Sequence, residues 1–118
     1  ADPRLILFGL AGSHVIAAAE ACGLPVSSEV FADRTYQRDG SLTPRKQAHA
    51  LITDAPTAVA QVLRMVRENT VRAIDGTDVL IRADTVCLHG DGAQPVEFAR
   101  LLRRELTAAG VEIKACGT

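Results

Sequence analysis

Two short apolar runs, Leu5-Ile6-Leu7-Phe8 and Val26 to Ala32, flank a single stretch of helical periodicity, and no other feature restricts the fold of this chain as strongly. The first run is continuous in apolar side chains and ends at Gly9, the pattern of a strand buried on both faces. Ser13 stands where it can cap a helix. Val15, Ile16, Ala19 and Cys22 then recur at helical spacing, and Gly23 with Pro25 supplies the stop. Val26 to Ala32 is rich in β-branched and aromatic residues and reads as the next strand. A strand, a helix and a strand follow one another.

The pattern continues beyond this unit. Asp33 to Arg45 is polar, contains Asp39-Gly40 and Pro44, and reads as a connection long enough to serve as a lid or binding loop. Asp54-Ala55-Pro56 joins an N-cap residue to a proline suited to a first helical turn. Val59, Val62, Leu63 and Val66 follow at i, i+3, i+4 and i+7. Arg64 and Arg67 fall near the end of this helix, where they read as solvated and structural. Thr70 to Ile74 and Val79 to Ile81 flank Asp75-Gly76-Thr77-Asp78, the signature of a hairpin. Thr85 to His89 is a further strand whose alternation sets Thr85, Cys87, His89 and Asp91 on one face and Val86 and Leu88 on the other. Pro95 opens a last helix with Val96, Ala99, Leu102, Leu106 and Ala109 as its apolar stripe and Arg100, Arg103 and Arg104 mostly outside it. Gly110 ends that helix, and Val111 to Lys114 reads as a final strand. Strands alternating with helices predict an α/β fold with a largely parallel sheet, a requirement met by an open doubly wound sheet and by a barrel alike.

Composition narrows the function. The 118 residues are 47% hydrophobic and 23% charged, enough for one core and one domain. Formal net charge is −1 and the basic residues are dispersed, so there is no electrostatic footprint for nucleic acid. The three cysteines, Cys22, Cys87 and Cys116, lack the close pairing of a zinc site and fit buried free thiols in a reducing compartment. No apolar run approaches the roughly 20 residues of a membrane helix, and no basic-then-apolar leader opens the chain, so a cytoplasmic location is expected and a membrane partner is not. The chain opens at Ala1 and enters a strand within a few residues, which suggests a cut inside a longer polypeptide. Gly9 and Gly12 follow a strand but belong to neither a G-x-G-x-x-G fingerprint nor a P-loop.

In parallel α/β folds the carboxyl ends of the strands carry the chemistry, because strands hold side chains rigidly while the loops beyond them shape a pocket. Three such ends are polar: Gly9 to His14, Asp33-Arg34, and His89-Gly90-Asp91. Glu29 sits within an otherwise apolar strand, where a carboxylate needs a cation or a hydrogen-bond donor. At four residues' separation Glu29 and Asp33 share a face but lie about 13 Å apart, too far for a carboxylate dyad. Asp33 with Arg34 could equally form a plain loop ion pair. His89 with Asp91 has the character of an acid/base pair or of two metal ligands, too few for a complete metal site. Arg34, Arg38, Arg45 and Lys46 gather around the long loop, where guanidinium groups suit a carboxylate or a phosphate. His14 and His49 read as structural.

Successive stretches of the chain resemble one family. Phe8-Gly9-Leu10-Ala11-Gly12-Ser13, Ser28-Glu29-Val30-Phe31-Ala32-Asp33-Arg34 with Tyr36, Asp39-Gly40-Ser41-Leu42 and Pro44-Arg45 are similar, in order, to signatures of the LamB/YcsF family. Val71-Arg72-Ala73-Ile74-Asp75-Gly76 and Ala83-Asp84-Thr85-Val86-Cys87 leading to His89-Gly90-Asp91 continue the likeness over nearly the whole chain. The resemblance implies that residues 1–118 are the C-terminal part of a single seven-stranded (β/α) barrel of the glycoside hydrolase/deacetylase-like kind. Its N-terminal half is absent here, because family members are roughly double this length. It also implies the A subunit of an ATP-dependent 5-oxoprolinase, which with the B and C subunits opens 5-oxo-L-proline to L-glutamate while hydrolysing ATP with magnesium and holds no tightly bound cofactor. Under that resemblance Glu29, Asp33 and His89 are the candidates for catalysis, and Ser13, Arg34, Tyr36 and Arg45 for substrate binding. His89 and Asp91 remain the candidates for a metal. A fragment of this kind is expected to be inactive alone. Two other readings compete: a metal-dependent deacetylase on the same barrel, and a non-catalytic half-barrel that self-associates through its open edges.

Overall fold

The computed structural model describes residue 2, residues 4–89 and residues 94–117. Its elements run β1 (Leu7–Leu10), α1 (His14–Ala21), β2 (Val26–Phe31), α2 (Ala55–Glu68), β3 (Thr70–Arg72), β4 (Asp78–Leu80), β5 (Thr85–Cys87) and α3 (Pro95–Ala108). β1, β2 and β5 form a parallel sheet in the order β1-β2-β5, and β3 pairs with β4 antiparallel. The predicted α/β class with parallel strands and helices is what the chain adopts.

The register explains where the helices lie. Gly9 pairs with Ser28 and Val30 with Val86, so Gly9, Ser28, Val30 and Val86 point to one face of the sheet. That face meets α1, α2 and α3. Ile16 approaches so close that a Cβ on Gly9 would sit 3.1 Å from its Cδ1, which is the packing reason for a glycine there. Val30 and Ala32 join Val59, Val62 and Met65 of α2 and Leu102 and Leu106 of α3 in the core. The other face carries Phe8, Glu29, Phe31, Thr85 and Cys87, and among the described residues no helix covers it. The tail reaches it at Ser27, whose Oγ lies 3.4 Å from Cys116 Sγ.

Local signals account for most boundaries. The Asp54 carboxylate accepts the Thr57 backbone N–H at 3.0 Å and also the Thr57 hydroxyl, while Asn69 in the left-handed conformation closes the far end of α2. Residues 33–54 are ordered rather than loosely looped: Tyr36 bridges to Leu42 and Arg34 to Leu51, and the Thr35 N–H donates to Ala50 O at 3.0 Å.

Four expectations need correction. β1 is an edge strand, with Phe8 49% exposed, and is not buried on both faces. The stripe of α3 is turned relative to the predicted one: Val96 is exposed and Phe98 and Leu101 pack inward beside Leu102 and Leu106, because the helix has to follow the α2 surface. Val111 to Lys114 forms no strand among the described residues, since a β-prone tetrapeptide needs a neighbouring edge with which to exchange hydrogen bonds. Arg64 is not simply solvated; its guanidinium meets Asp78 at 2.9 Å and ties α2 to the hairpin.

Candidate functional site

Because Phe31 pairs with Cys87, continuing the same register beyond the ladder sets Asp33 opposite His89. Their side chains meet there: His89 Nδ1 lies 2.9 Å from Asp33 Oδ1 and 3.3 Å from Oδ2. The two are 24% and 18% exposed, sheltered but reachable. With a proton on Nδ1, the ring donates to the carboxylate and leaves the Nε2 lone pair free to take a proton from a ligand. Phe31, diagonally across from His89, stacks on the imidazole with centroids 5.5 Å apart and planes 10° apart. One neighbour fixes the ring by a hydrogen bond and the other by its face.

The strand end that presents this pair is itself held. Gln61 of α2 donates from Nε2 to Arg34 O at 2.9 Å and to Phe31 O at 3.3 Å. β1 stops short of this point, so the Phe31 N–H has no strand partner on that side and donates instead to Tyr36 Oη at 2.9 Å. Tyr36 is fully buried, and burial pushes its hydroxyl from 10.0 up to about 12.

Asp33 and His89 open onto a cleft of about 760 Å³ bounded by Arg45, by Leu51 to Thr53, by the start of α2 at Ala55, and by Gln94, Pro95, Glu97, Phe98, Arg100, Leu101 and Arg104 along α3. The sequence-predicted residues divide accordingly. Asp33, His89 and Arg45 come together at the cleft. Glu29 does not line it; it is half-buried on the helix-free face, where its neighbour is the Cys87 thiol rather than a cation. Burial, then the charge of Glu29 and its hydrogen bond, then the charge of Asp33 push that thiol above its ordinary range. Arg34 is buried and forms no loop ion pair with Asp33; its Nη2 donates to Thr43 O at 2.8 Å. Tyr36 lies in the core, and neither it nor Arg34 lines the cleft. Ser13 precedes α1, its buried Oγ without a partner among the described residues. Asp91 lies outside the described residues, and among those described no group of three or more His, Cys, Asp and Glu side chains gathers as a metal site would require.

Phe31 and the two arginines of α3 are the site features that sequence reasoning missed. The stack depends on the register of β2 against β5, and Arg100 and Arg104 read as solvent-side positions until the cleft wall is seen.

The LamB/YcsF family model matches residues 1–118. The chain belongs to the LamB/YcsF family. LamB/YcsF relatives include the 5-oxoprolinase A subunit of Bacillus licheniformis, 58% identical over 117 residues, which are 99% of this chain and 46% of that protein. The 5-oxoprolinase A subunit of Shouchella clausii is 60% identical over 114 residues, 97% of this chain and 45% of that protein. The crystal structure of the lactam utilization protein from Thermus thermophilus superimposes with a TM-score of 0.88 at 43% identity, covering 97% of this chain and 45% of that one. The chain therefore spans less than half the length of these relatives. No helix among the described residues is long and apolar enough to cross a membrane.

Proposed function

We propose that this LamB/YcsF chain forms the C-terminal part of a (β/α) barrel in the A subunit of a 5-oxoprolinase, and that Asp33 and His89 move a proton during opening of the lactam. The observation that carries the reading is the 2.9 Å pair at the strand ends in a chain whose relatives bear that enzyme's name. A helix-free sheet face with Glu29, Phe31 and Cys87 on it supports the barrel, since such a face is what the inside of an incomplete barrel would present.

The lactam amide is unreactive, which gives ATP a chemical purpose. Transfer of the terminal phosphoryl group to the lactam oxygen releases ADP and leaves an electrophilic ring carbon. Water then attacks that carbon and the ring C–N bond breaks, giving a γ-glutamyl phosphate, which a second water hydrolyses to L-glutamate and phosphate. His89 Nε2 takes the proton of the attacking water and returns one to the ring nitrogen, while Asp33 holds the imidazole through Nδ1. Arg45, which also lines the cleft, supplies charge for an anionic group of the substrate. Glu29 lies deeper on the same sheet face as Asp33 and His89 and acts only if the substrate reaches the sheet interior. The B and C subunits complete the enzyme in this reading, and the 118 residues alone do not turn over.

The test is ATP-dependent release of L-glutamate from 5-oxoproline by the complete enzyme with its partner subunits, each omitted in turn. His89→Gln should lower turnover by about 10²–10⁴-fold with the thermal melt unchanged. A folded variant that retains full activity would remove His89 from proton transfer. Glu29→Gln run alongside decides whether the deeper part of that face takes part.

A further inference from the structure

We infer that the α3 side of the cleft is an oxyanion site built for a phosphoryl group, lined by Arg45 from the loop and by Arg100 and Arg104 from the helix. Among the described residues, three guanidinium groups line the cleft against two carboxylates, Asp33 and Glu97. Asp33 is occupied by His89, which leaves Glu97 as the acid free to oppose the arginines. Glu97 holds Arg100 at 3.0 Å in an exposed i,i+3 pair, and Arg104 touches Glu105 at 3.3 Å. Exposed pairs of this kind are weak, so both guanidiniums can exchange these contacts for a doubly charged ligand without a large loss. Arg45 has no carboxylate partner among the described residues.

The geometry of α3 adds to the charge. Arg100 and Arg104 are one turn apart, so their side chains leave the helix on the same side with Cβ atoms about 5–6 Å apart. That spacing suits two oxygens of one tetrahedral group. Gln94, at the N-cap, makes no side-chain capping bond, Pro95 has no N–H to offer, and both residues line the cleft. The N-terminal turn of this 14-residue helix therefore borders the same cleft as the arginines. A carboxylate offers two oxygens in one plane and a single charge, whereas three cations lining one cleft from two separate segments are better satisfied by a phosphate dianion.

This inference deepens the hydrolase reading and rests on it for the role of the site, but the binding itself can be tested without turnover. Inorganic phosphate is titrated into the protein at constant ionic strength, and the arginine Nε–Hε signals are followed by NMR. Arg45, Arg100 and Arg104 should shift together and saturate, with phosphate binding more tightly than acetate. The double variant Arg100→Ala/Arg104→Ala replaces exposed helical residues with the best helix former, so the fold is kept. It should weaken phosphate binding at least five-fold. Absence of saturable shifts, equal affinity in the double variant, or acetate binding as tightly as phosphate would each overturn the assignment. A negative result here together with a positive glutamate assay would leave the hydrolase reading standing, and the reverse combination would leave the anion site standing alone.

Discussion

Replacing Tyr36 by Phe removes one oxygen from the core and tests how the end of β2 is built. That oxygen accepts the Phe31 N–H, which β1 is too short to reach, so the variant leaves a buried backbone donor unpaired. The cost at neutral pH should be about 1–3 kcal/mol. The same hydroxyl also predicts a pH dependence. An acid whose folded pKa is raised above its unfolded value contributes stability that is intact below the unfolded pKa and is lost as pH rises toward the folded one. For Tyr36 the window runs from 10.0 to about 12. Two units at roughly 1.4 kcal/mol each amount to a loss of about 3 kcal/mol across the window, confined to the wild type. Urea unfolding of both proteins at pH 7, 9, 10 and 11 measures the difference. Wild type should lead at pH 7 and lose that lead as pH rises above 10. The chain has one tyrosine and no tryptophan, so tyrosinate absorbance follows this single group without interference. A stability gap that stays constant with pH, or no gap at pH 7, would refute the account of Tyr36 as a buried, hydrogen-bonded cap on β2.

Asp54→Ala should destabilise the protein by about 1 kcal/mol in denaturant unfolding, because it removes the side-chain acceptor of the Thr57 N–H at the start of α2. Ser13→Ala should shift stability by no more than about 0.5 kcal/mol, as its hydroxyl makes no capping bond; a raised KM for 5-oxoproline in the complete enzyme, with stability unchanged, would then mark Ser13 as a substrate contact. Cys87 should react with a disulfide reagent at pH 8 more slowly than the exposed Cys22 and Cys116, since burial and Glu29 hold its thiol protonated, and Glu29→Gln should speed it.

Elements governed by local chemistry were legible without coordinates. The Asp54-Ala55-Pro56 start, the 3.6-residue spacing of Val59, Val62 and Val66, and the Asp75-Gly76 turn each depend on residues within one or two turns of one another, and each element forms where that chemistry dictates. Asp33 and His89 were visible as polar strand ends for the same reason. What could not be read was their meeting. Fifty-six positions apart, they pair because β2 lies beside β5 with Phe31 opposite Cys87, and a slip of one residue would bring a different side chain to His89.

Burial was the other decision left to the tertiary structure. Tyr36 and Arg34 carry polar groups that suit a binding loop, yet the folded-back course of residues 33–54 turns Tyr36 into the core and gives the Arg34 guanidinium to Thr43 O. Helical periodicity put Arg100 and Arg104 mostly outside the apolar stripe, where both are exposed, and only the tertiary structure adds that they border the cleft. The sequence by itself determined the βαβ alternation, the helix starts and the hairpin, since these are settled by propensity and capping over a few residues. The choice of which distant side chains share a site depended on strand register and on which face the helices cover, and those are properties of the whole packed chain.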